Sequence, residues 1–576
     1  MTALTDLLTT AAGLYPDTVA VADDRHELTH TELSAAVAHT AARLREANPG
    51  GGPVLLALAP GTEWVTALLS AWHAGRPAVP VDVTHPPERL RQVAAGCRAT
   101  AVVTSTGTAP AWAGPLTALA PATGTAPPGT TATQACADED RIACIWHTSG
   151  STGAPKPVLV SHRALAARAA VLPSWSGLTA GDRVAQLTAL TFDAVLWEVL
   201  GALTAGARLQ IAAPRDRVPG PALPLFLRRR EITAFTTTPT CLAAAPFTEL
   251  PRLRRIVLGG EALHPGPLKL WSGRYDVANA YGPTETCIDA IVAAHIRPGE
   301  DPVPIGRPLP GVRAWVLDAR RQPVPAGEAG ELYLGGQGLA TGYLDRPEET
   351  ARAFLSLSLP DGRRWCRERV YRTGDRVRQL RDGRYVFLGR DDGRLNLGGV
   401  RLEPGEVERT AAQAPGVRAA VLLTDRATSG RPRLVLHVET DDPGLPSRLR
   451  KHLADRLAPS AVPALILGHP SLPRTASGKI DRLTTGTGTG TSTGAPDSGA
   501  PVPPLPEDVA RWWREQTGAE ADGARDFFAA GGDSLAALLL LQQVNERYGT
   551  EISLDAFHAD PTTRFLHTAL NSGSTP

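Results

Sequence analysis

The stretch HTSGSTGAPKPV, residues 147–158, decides how this sequence is read. Just ahead of it, Ile142 to Trp146 is a short apolar run that predicts a buried strand. The loop then sets Gly150 and Gly153 among Thr148, Ser149, Ser151 and Thr152, and ends on Lys156. Backbone N–H groups and hydroxyls in such a loop can surround phosphate oxygens while a lysine supplies charge. The Walker spacing GxxxxGK[ST] is absent, so this is not a loop of that kind. Lysine is rare here, occurring at 156, 269, 451 and 479, and two of these close Gly/Ser/Thr-rich loops, GSTGAPK and TASGK. That pairing points to two phosphate-facing ammonium groups.

With 576 residues the chain exceeds a single hydrophobic core and predicts three or four folding units. A net charge of +1 excludes the basic footprint of a nucleic-acid binder. Cys97, Cys136, Cys144, Cys241, Cys287 and Cys366 stand far apart with no CxxC pair, so neither a disulfide framework nor a zinc ribbon is expected. The N-terminus carries no basic-then-apolar leader and no apolar run nears ~18 residues, which predicts a soluble, cytoplasmic protein without membrane contact. HELTH, His26 to His30, formally matches HExxH, but that pattern needs a helix to bring i and i+4 together. Extended, the two imidazoles would stand about 13 Å apart, so zinc is not expected.

Outward from the loop, Val19 to Ala22 and Glu27 to Leu28 predict a tight hairpin. Thr31 is expected to cap a helix that buries Leu33, Val37, Ala41 and Leu44. Val54 to Cys97 alternates short strands and helices, with a buried strand in AVPVD at 78–82. Ser105 to Ala137, rich in Ala, Pro, Thr and Gly, is expected to be an irregular surface excursion. Beyond the loop, helices are expected at 164–171 and 195–203 and strands at 184–187, 209–212, 232–236 and 256–258, which implies sheets covered by helices. From Ile305 to Leu334 the pattern turns β-rich, and GGQGLATG at 335–342 reads as a loop, since Thr341 breaks GxGxxG. Thr484 to Pro506 cannot bury a core and reads as a tether to a small helical domain. There Ser534 is expected to cap a helix carrying Leu535, Leu538, Leu539 and Leu541.

Further motifs follow in order: FDAVLWE (192–198), NAYGPTE (279–285), YRTGD (371–375), GRDDGRLNLGGVRLEPGEVE (389–408), PRTASGKIDR (473–482) and DFFAAGGDSL (526–535). Together with the loop they resemble the amino-acid adenylation domains of nonribosomal peptide synthetases, within the ANL adenylate-forming superfamily, followed by a peptidyl carrier domain. The resemblance implies a multidomain α/β and α+β fold. A large N-terminal subdomain, with sheets covered by helices and a β-rich part, would span 1–391 and a small α+β subdomain 392–483; a linker at 484–504 would lead to a four-helix carrier at 505–576.

Such a domain activates an amino acid as aminoacyl-AMP and passes it to a phosphopantetheine thiol, using ATP, Mg²⁺ and 4′-phosphopantetheine. By resemblance, Thr148, Ser149, Gly150, Ser151, Thr152, Gly153 and Lys156 hold the β- and γ-phosphates, Thr284 the α-phosphate, and Glu285 the Mg²⁺. Tyr281 and Phe387 would sandwich adenine, Asp375 and Arg390 hold the ribose, and Gly260, Glu261, Ala262, Asn279, Ala280 and Gly282 complete the nucleotide site. Lys479 would be the central catalytic cation, Asp392 the hinge between adenylation and thioester formation, and Ser534 the point of phosphopantetheine attachment by a separate transferase.

The amino-acid pocket maps to Asp193, Ala194, Trp197, Thr236, Val257, Gly259, Ala280, Ile288, Asp289 and Lys479, with Asp193 on the α-ammonium. A second carboxylate in a desolvated pocket calls for a cation, so Asp289 implies arginine or a related basic substrate; Ala194, Trp197 and Thr236 leave an aromatic amino acid as the alternative. Pro157, His147, Asn396 and Gly398 depart from the family's usual residues and bear on thiolation more than on ATP binding. Rival readings are an acyl-CoA synthetase or fatty-acyl-AMP ligase and a non-catalytic scaffold. No HHxxxDG motif appears, and the literal GxSxG at 490–494, GTSTG, falls within the Thr/Gly tether, so a condensation domain or tailoring enzyme in trans, and an accessory MbtH-like protein, are the further expected partners.

Overall fold

The computed structural model describes residues 4–122, 138–148, 155–217, 219–263, 265–361, 364–390, 395–397, 400–427, 432–474, 480, 482, 485, 503–521 and 526–572. The chain divides into two compact units, one of Met1–Thr84, Leu90–Thr148 and Pro155–Asp392 and the other of His85–Arg89, Ser149–Ala154 and Gly393–Pro576.

Among the described residues, the first unit holds three sheets. The nine-stranded sheet has a parallel centre, in the spatial order Asp276–Tyr281, Arg255–Gly259, Ala234–Thr237, Arg183–Gln186, Arg208–Ile211 and Val19–Ala22. Antiparallel strands close both edges, Glu27–Thr29 on one side and Ile291–Ala293 with Arg307–Pro308 on the other. The seven-stranded sheet pairs Ile142–Thr148 with Lys156–Ser161 in an antiparallel hairpin that flanks the Gly/Ser/Thr loop, with Thr148 opposite Lys156. Helix Val195–Thr204 is buried on every side from Val195 to Leu203, as a helix apolar all round must be. A five-stranded antiparallel sheet, centred on Ala329–Gly336 and the long strand Arg364–Gln379, forms the β-rich part.

Two expectations are corrected in this unit. The helix at 30–47 starts earlier than a cap at Thr31 would allow: Thr29 is its cap, in a reciprocal capping box with Glu32, while Leu33, Val37, Ala41 and Leu44 are buried as expected. The excursion from Ser105 is not wholly irregular, because Thr117–Leu119 adds a parallel strand beside Ala101–Val103. His26 is exposed and His30 buried, so HELTH does not gather a metal pair.

In the second unit, Ala419–Arg426, Pro432–Glu439 and Leu465–His469 form a three-stranded sheet, and helices Pro404–Ala412 and Leu445–Ala454 contribute to the same core. The C-terminal helices are Glu507–Thr517, Ser534–Tyr548, Leu554–Ala559 and Thr563–Ser572, gathered around Trp513, Phe527, Phe528 and Phe557. The buried face of Ser534–Tyr548 is Ala536, Ala537, Leu540, Leu541 and Val544, shifted from the expected leucine stripe. Among the described residues no helix is long and apolar enough to cross a membrane.

Candidate active site

Two neighbouring strands bring the nucleotide residues together. Asp375 lies on the long strand directly opposite Arg390. Its carboxylate accepts a hydrogen bond from the Tyr281 hydroxyl and pairs with the Arg390 guanidinium, whose Nη2 also donates to the Thr373 carbonyl at 2.9 Å. Its amide donates to Thr373 Oγ1 at 3.0 Å, so a buried carboxylate is gripped from several sides. Burial and the adjoining Asp375 push the Tyr281 phenol well above its ordinary value and keep it a donor. Tyr281 and Phe387 pack against one apolar cluster. Gly282 is needed for this approach: a Cβ there would lie 2.4 Å from the Ile288 carbonyl oxygen and 2.7 Å from Asp289 Cα.

Thr284 and Glu285 sit in a single 3-10 turn, Thr284–Thr286. Glu285 is buried and accepts from the Tyr343 hydroxyl at 2.8 Å. Lys156 is the first residue of a strand and not part of the loop; its ammonium pairs with Glu349 at 3.2 Å and lies 5.5 Å from the Tyr343 ring centre. Glu349, Lys156, Tyr343 and Glu285 thus stand in series, joined by an ion pair, a cation–ring contact and a hydrogen bond. Gly260 has a positive φ of 80°, Glu261 accepts from the Thr240 amide at 3.0 Å, and Asn279 spends its Nδ2 on the Pro304 carbonyl at 2.9 Å. Ser149, Gly150, Ser151, Thr152, Gly153, Asp392, Gly398 and Lys479 lie outside the described residues.

Those of the residues expected to line the amino-acid pocket that are described lie in the same unit. Asp193 precedes helix Val195–Thr204 but does not cap it; Ala194 takes that position without a side-chain hydrogen bond. The Asp193 carboxyl has one oxygen, Oδ2, shut off from solvent and without a hydrogen-bond partner. Desolvation pushes it up to about 7, opposed by the Thr284 hydroxyl and the Ile288 amide. Such a group lacks one thing, a cation. Thr236 donates its hydroxyl to the Val257 carbonyl at 3.1 Å, and Trp197 packs against Trp175 with ring centres 6.1 Å apart.

Asp289 requires a correction. Its carboxylate was expected to await a basic substrate, yet Arg168 of helix His162–Ala169 stands beside it, Nε to Oδ1 3.7 Å, with 2% and 3% of the two side chains exposed. The chain supplies its own cation at this point, which removes the electrostatic reason for a basic substrate.

At the C-terminal helices Ser534 is exposed, and it is not the cap. Asp533 is, accepting from the Ala536 amide at 2.9 Å with φ −125° and ψ 173°. Ser534 is therefore the first helical residue, with a hydroxyl that the cap does not consume.

Residues 8–344 match the family model described as AMP-binding enzyme, more than half of the chain. The chain belongs to the AMP-binding enzyme family. Residues 507–566 match the model for a phosphopantetheine attachment site. The chain is similar to a linear gramicidin synthase of Brevibacillus parabrevis, 34% identical over 95% of this chain and 7% of that one. It is also 35% identical to phosphinothricin tripeptide synthetase PhsC of Streptomyces viridochromogenes, over 96% of this chain and 52% of the other. It thus spans 7% to 52% of the length of these two relatives. Among solved structures it is similar to holo-PA1221, an NRPS protein containing adenylation and PCP domains bound to a vinylsulfonamide inhibitor, with a TM-score of 0.77, 25% identity and coverage of 98% and 97%. The artificially fused adenylation-PCP di-domain NpsA-ThdA from Klebsiella oxytoca gives a TM-score of 0.70 at 25% identity, covering 81% and 93%. This member of the family is therefore an adenylation domain followed by a carrier domain of the nonribosomal peptide synthetase kind.

ATP with Mg²⁺ and 4′-phosphopantetheine are the cofactors of these two regions. The residues present fit them: buried Glu285 offers a hard oxygen ligand, and exposed Ser534 a free-standing hydroxyl. Sequence reading missed several residues that support the site of this AMP-binding enzyme. Glu198, the last residue of FDAVLWE, is fully buried and accepts from the amides of Leu187 and Thr188, both at 3.0 Å, from Thr188 Oγ1 at 2.9 Å and from Gln186 Nε2 at 3.1 Å. It ties the end of strand Arg183–Gln186 to the helix behind Asp193. Tyr343, Glu349 and Arg168 come from segments with no motif of their own; only a charged residue set in an apolar helical run could have pointed to Glu198 and Arg168.

Proposed function

We propose that this chain activates an amino acid with ATP and loads it onto its own carrier. An oxygen of the substrate carboxylate attacks the α-phosphorus, pyrophosphate leaves, and an aminoacyl-AMP forms. The pantetheine thiol then attacks the acyl carbon, gives up its proton, and AMP leaves. The observation that carries this reading is the solvent-shielded, unpartnered Oδ2 of Asp193, held beside the nucleotide residues through its closeness to Thr284 and Ile288. A carboxylate in that position suits an α-ammonium group and is wasted on a fatty or aryl acid, which disfavours the acyl-CoA synthetase reading.

In this reading Tyr281 and Phe387 flank adenine, Asp375 and Arg390 take the ribose hydroxyls, Thr284 the α-phosphate, and Glu285 the Mg²⁺. The loop between Thr148 and Lys156, with those two residues at the strand ends that bound it, holds the outer phosphates. Lys479, supported by its motif PRTASGKIDR, neutralises charge between carboxylate and α-phosphate; a donor so placed is worth about 3 kcal/mol. Asp392 is the hinge, and domains run 1–391, 392–483 and 505–576 about a linker at 484–504. Ser534 receives its arm from a phosphopantetheinyl transferase in the cytoplasm, and a condensation domain or tailoring enzyme takes the product. An MbtH-like protein belongs to the same proposal.

Incubating the pantetheinylated chain with ATP and an amino-acid panel tests this by intact mass. One amino acid should add its acyl mass at Ser534; fatty acids adding mass in its place would overturn the reading.

A further inference from the structure

Arg168 and Asp289 form an ion pair that neither closes nor reaches water. Nε to Oδ1 is 3.7 Å, beyond hydrogen-bond length, and Arg168 Nε and Nη1 and both oxygens of Asp289 are buried with no hydrogen-bond partner. The local backbone holds them there. Cys287 and Ile288, just ahead of the buried Asp289, both have positive φ, 63° and 66°. Gly338, in the GGQGLATG loop that the nucleotide chemistry leaves unexplained, makes room for the guanidinium: a Cβ there would sit 3.0 Å from Arg168 Nη2.

The pair belongs to the amino-acid pocket. Asp193 lies by the amide of Ile288, the residue before Asp289, and the charges of Arg168, Asp193 and Asp289 all bear on the buried Cys287 thiol. A bare buried pair is costly, since each charge is desolvated and each polar atom left unmet. A basic substrate would satisfy Asp289 but set a second cation against Arg168, an acidic one would do the reverse, and an apolar one would leave both bare.

We propose that the substrate side chain is uncharged and ends in a planar group with both an acceptor and a donor, a carboxamide or a ureido group. Its carbonyl accepts from Arg168 and its N–H donates to Asp289. A hydroxyl serves less well: a single oxygen bridging atoms 3.7 Å apart with bonds near 2.8 Å would hold them at about 80°, tighter than tetrahedral. An amide's oxygen and nitrogen, about 2.2 Å apart, meet the two partners along straighter lines.

This inference rests on the reading of the site as an amino-acid pocket, and the test separates the two. ATP–pyrophosphate exchange on the full chain is measured with asparagine, glutamine and citrulline against leucine, methionine, arginine, glutamate, phenylalanine and threonine. The expected result is a kcat/KM for one amide or ureido amino acid at least ~100-fold above its apolar or charged counterpart. Preference for a basic, acidic, aromatic, aliphatic or hydroxyl side chain would overturn the inference and leave the adenylation reading standing; exchange with no amino acid would overturn both. In Asp289→Asn the favoured substrate should lose about 10- to 100-fold, read in its KM. The double variant Arg168→Met, Asp289→Leu, which replaces the pair by apolar groups of similar size, should turn the preference towards leucine or methionine. Retention of the amide preference in that variant would also overturn the inference.

Discussion

Replacing Glu198 by glutamine tests how the end of strand Arg183–Gln186 is tied to the helix behind Asp193. Desolvation raises this buried carboxyl from 4.5 to about 7, against hydrogen bonds from Leu187 and Thr188 and the nearby Arg217. A carboxyl raised on folding contributes stability that is fully present below its unfolded pKa and lost as pH climbs through the folded one. The window here is 4.5 to about 7, and the difference amounts to about 3 kcal/mol at roughly 1.4 kcal/mol per pH unit. Glutamine does not titrate and keeps a carbonyl where Oε1 accepts from Leu187 and Thr188, but its NH₂ replaces the Oε2 that accepts from Gln186 Nε2, a hydrogen bond lost at every pH. For a unit of about 380 residues the unfolding entropy is near 0.8 kcal/mol per degree, so the penalty is worth about 4 °C. Differential scanning calorimetry of both proteins should find the variant's first-unit transition rising relative to the native one by about 4 °C between about pH 4 and about pH 8, on top of a pH-independent offset. Curves that stay parallel across that range, or a variant that falls further behind as pH rises, would refute the reasoning.

Four further outcomes follow from the site. Gly282→Ala forces a Cβ into the backbone of Ile288 and Asp289 and should cost about 1–3 kcal/mol, read as a lower melting temperature. Tyr281→Phe removes a hydrogen bond to the buried Asp375 carboxylate and should lower kcat/KM for ATP about 10- to 100-fold in pyrophosphate exchange. Ser534→Ala should abolish the mass gain on treatment with coenzyme A and a phosphopantetheinyl transferase while exchange continues. Lys479→Ala should slow adenylate formation by about 10²–10³ with an unchanged melting temperature; full-speed adenylation would sink the role assigned to that cation.

The alternation of strands and helices through the first unit was legible because each run has one environment: Val195 to Leu203 is apolar almost throughout and is buried throughout. Short elements and caps were not. Thr117–Leu119 has three residues and no pattern, and becomes a strand only because Ala101–Val103 offers an open edge. Thr29 and Thr31 have equal intrinsic claims to a cap, and the choice falls to Thr29 because Glu32 can answer it. At the carrier, Asp and Ser cap equally well, so local propensity could not separate Asp533 from Ser534.

The same division runs through the site. Residues needed by type, such as Asp193, Glu285 and Asp375, stand out in a sequence because nothing else explains a polar group at that spacing. The partner of a charge does not, since pairing is settled by tertiary neighbours: Asp289 looked like half of a contact with substrate, and the other half turned out to be Arg168, on a helix before the FDAVLWE motif. A charge read alone predicts a ligand of opposite sign. Read as a pair that stays 3.7 Å open, it predicts a ligand of no net charge that can both give and receive a hydrogen bond, and the substrate preference of the native chain is the quantity on which the two readings part.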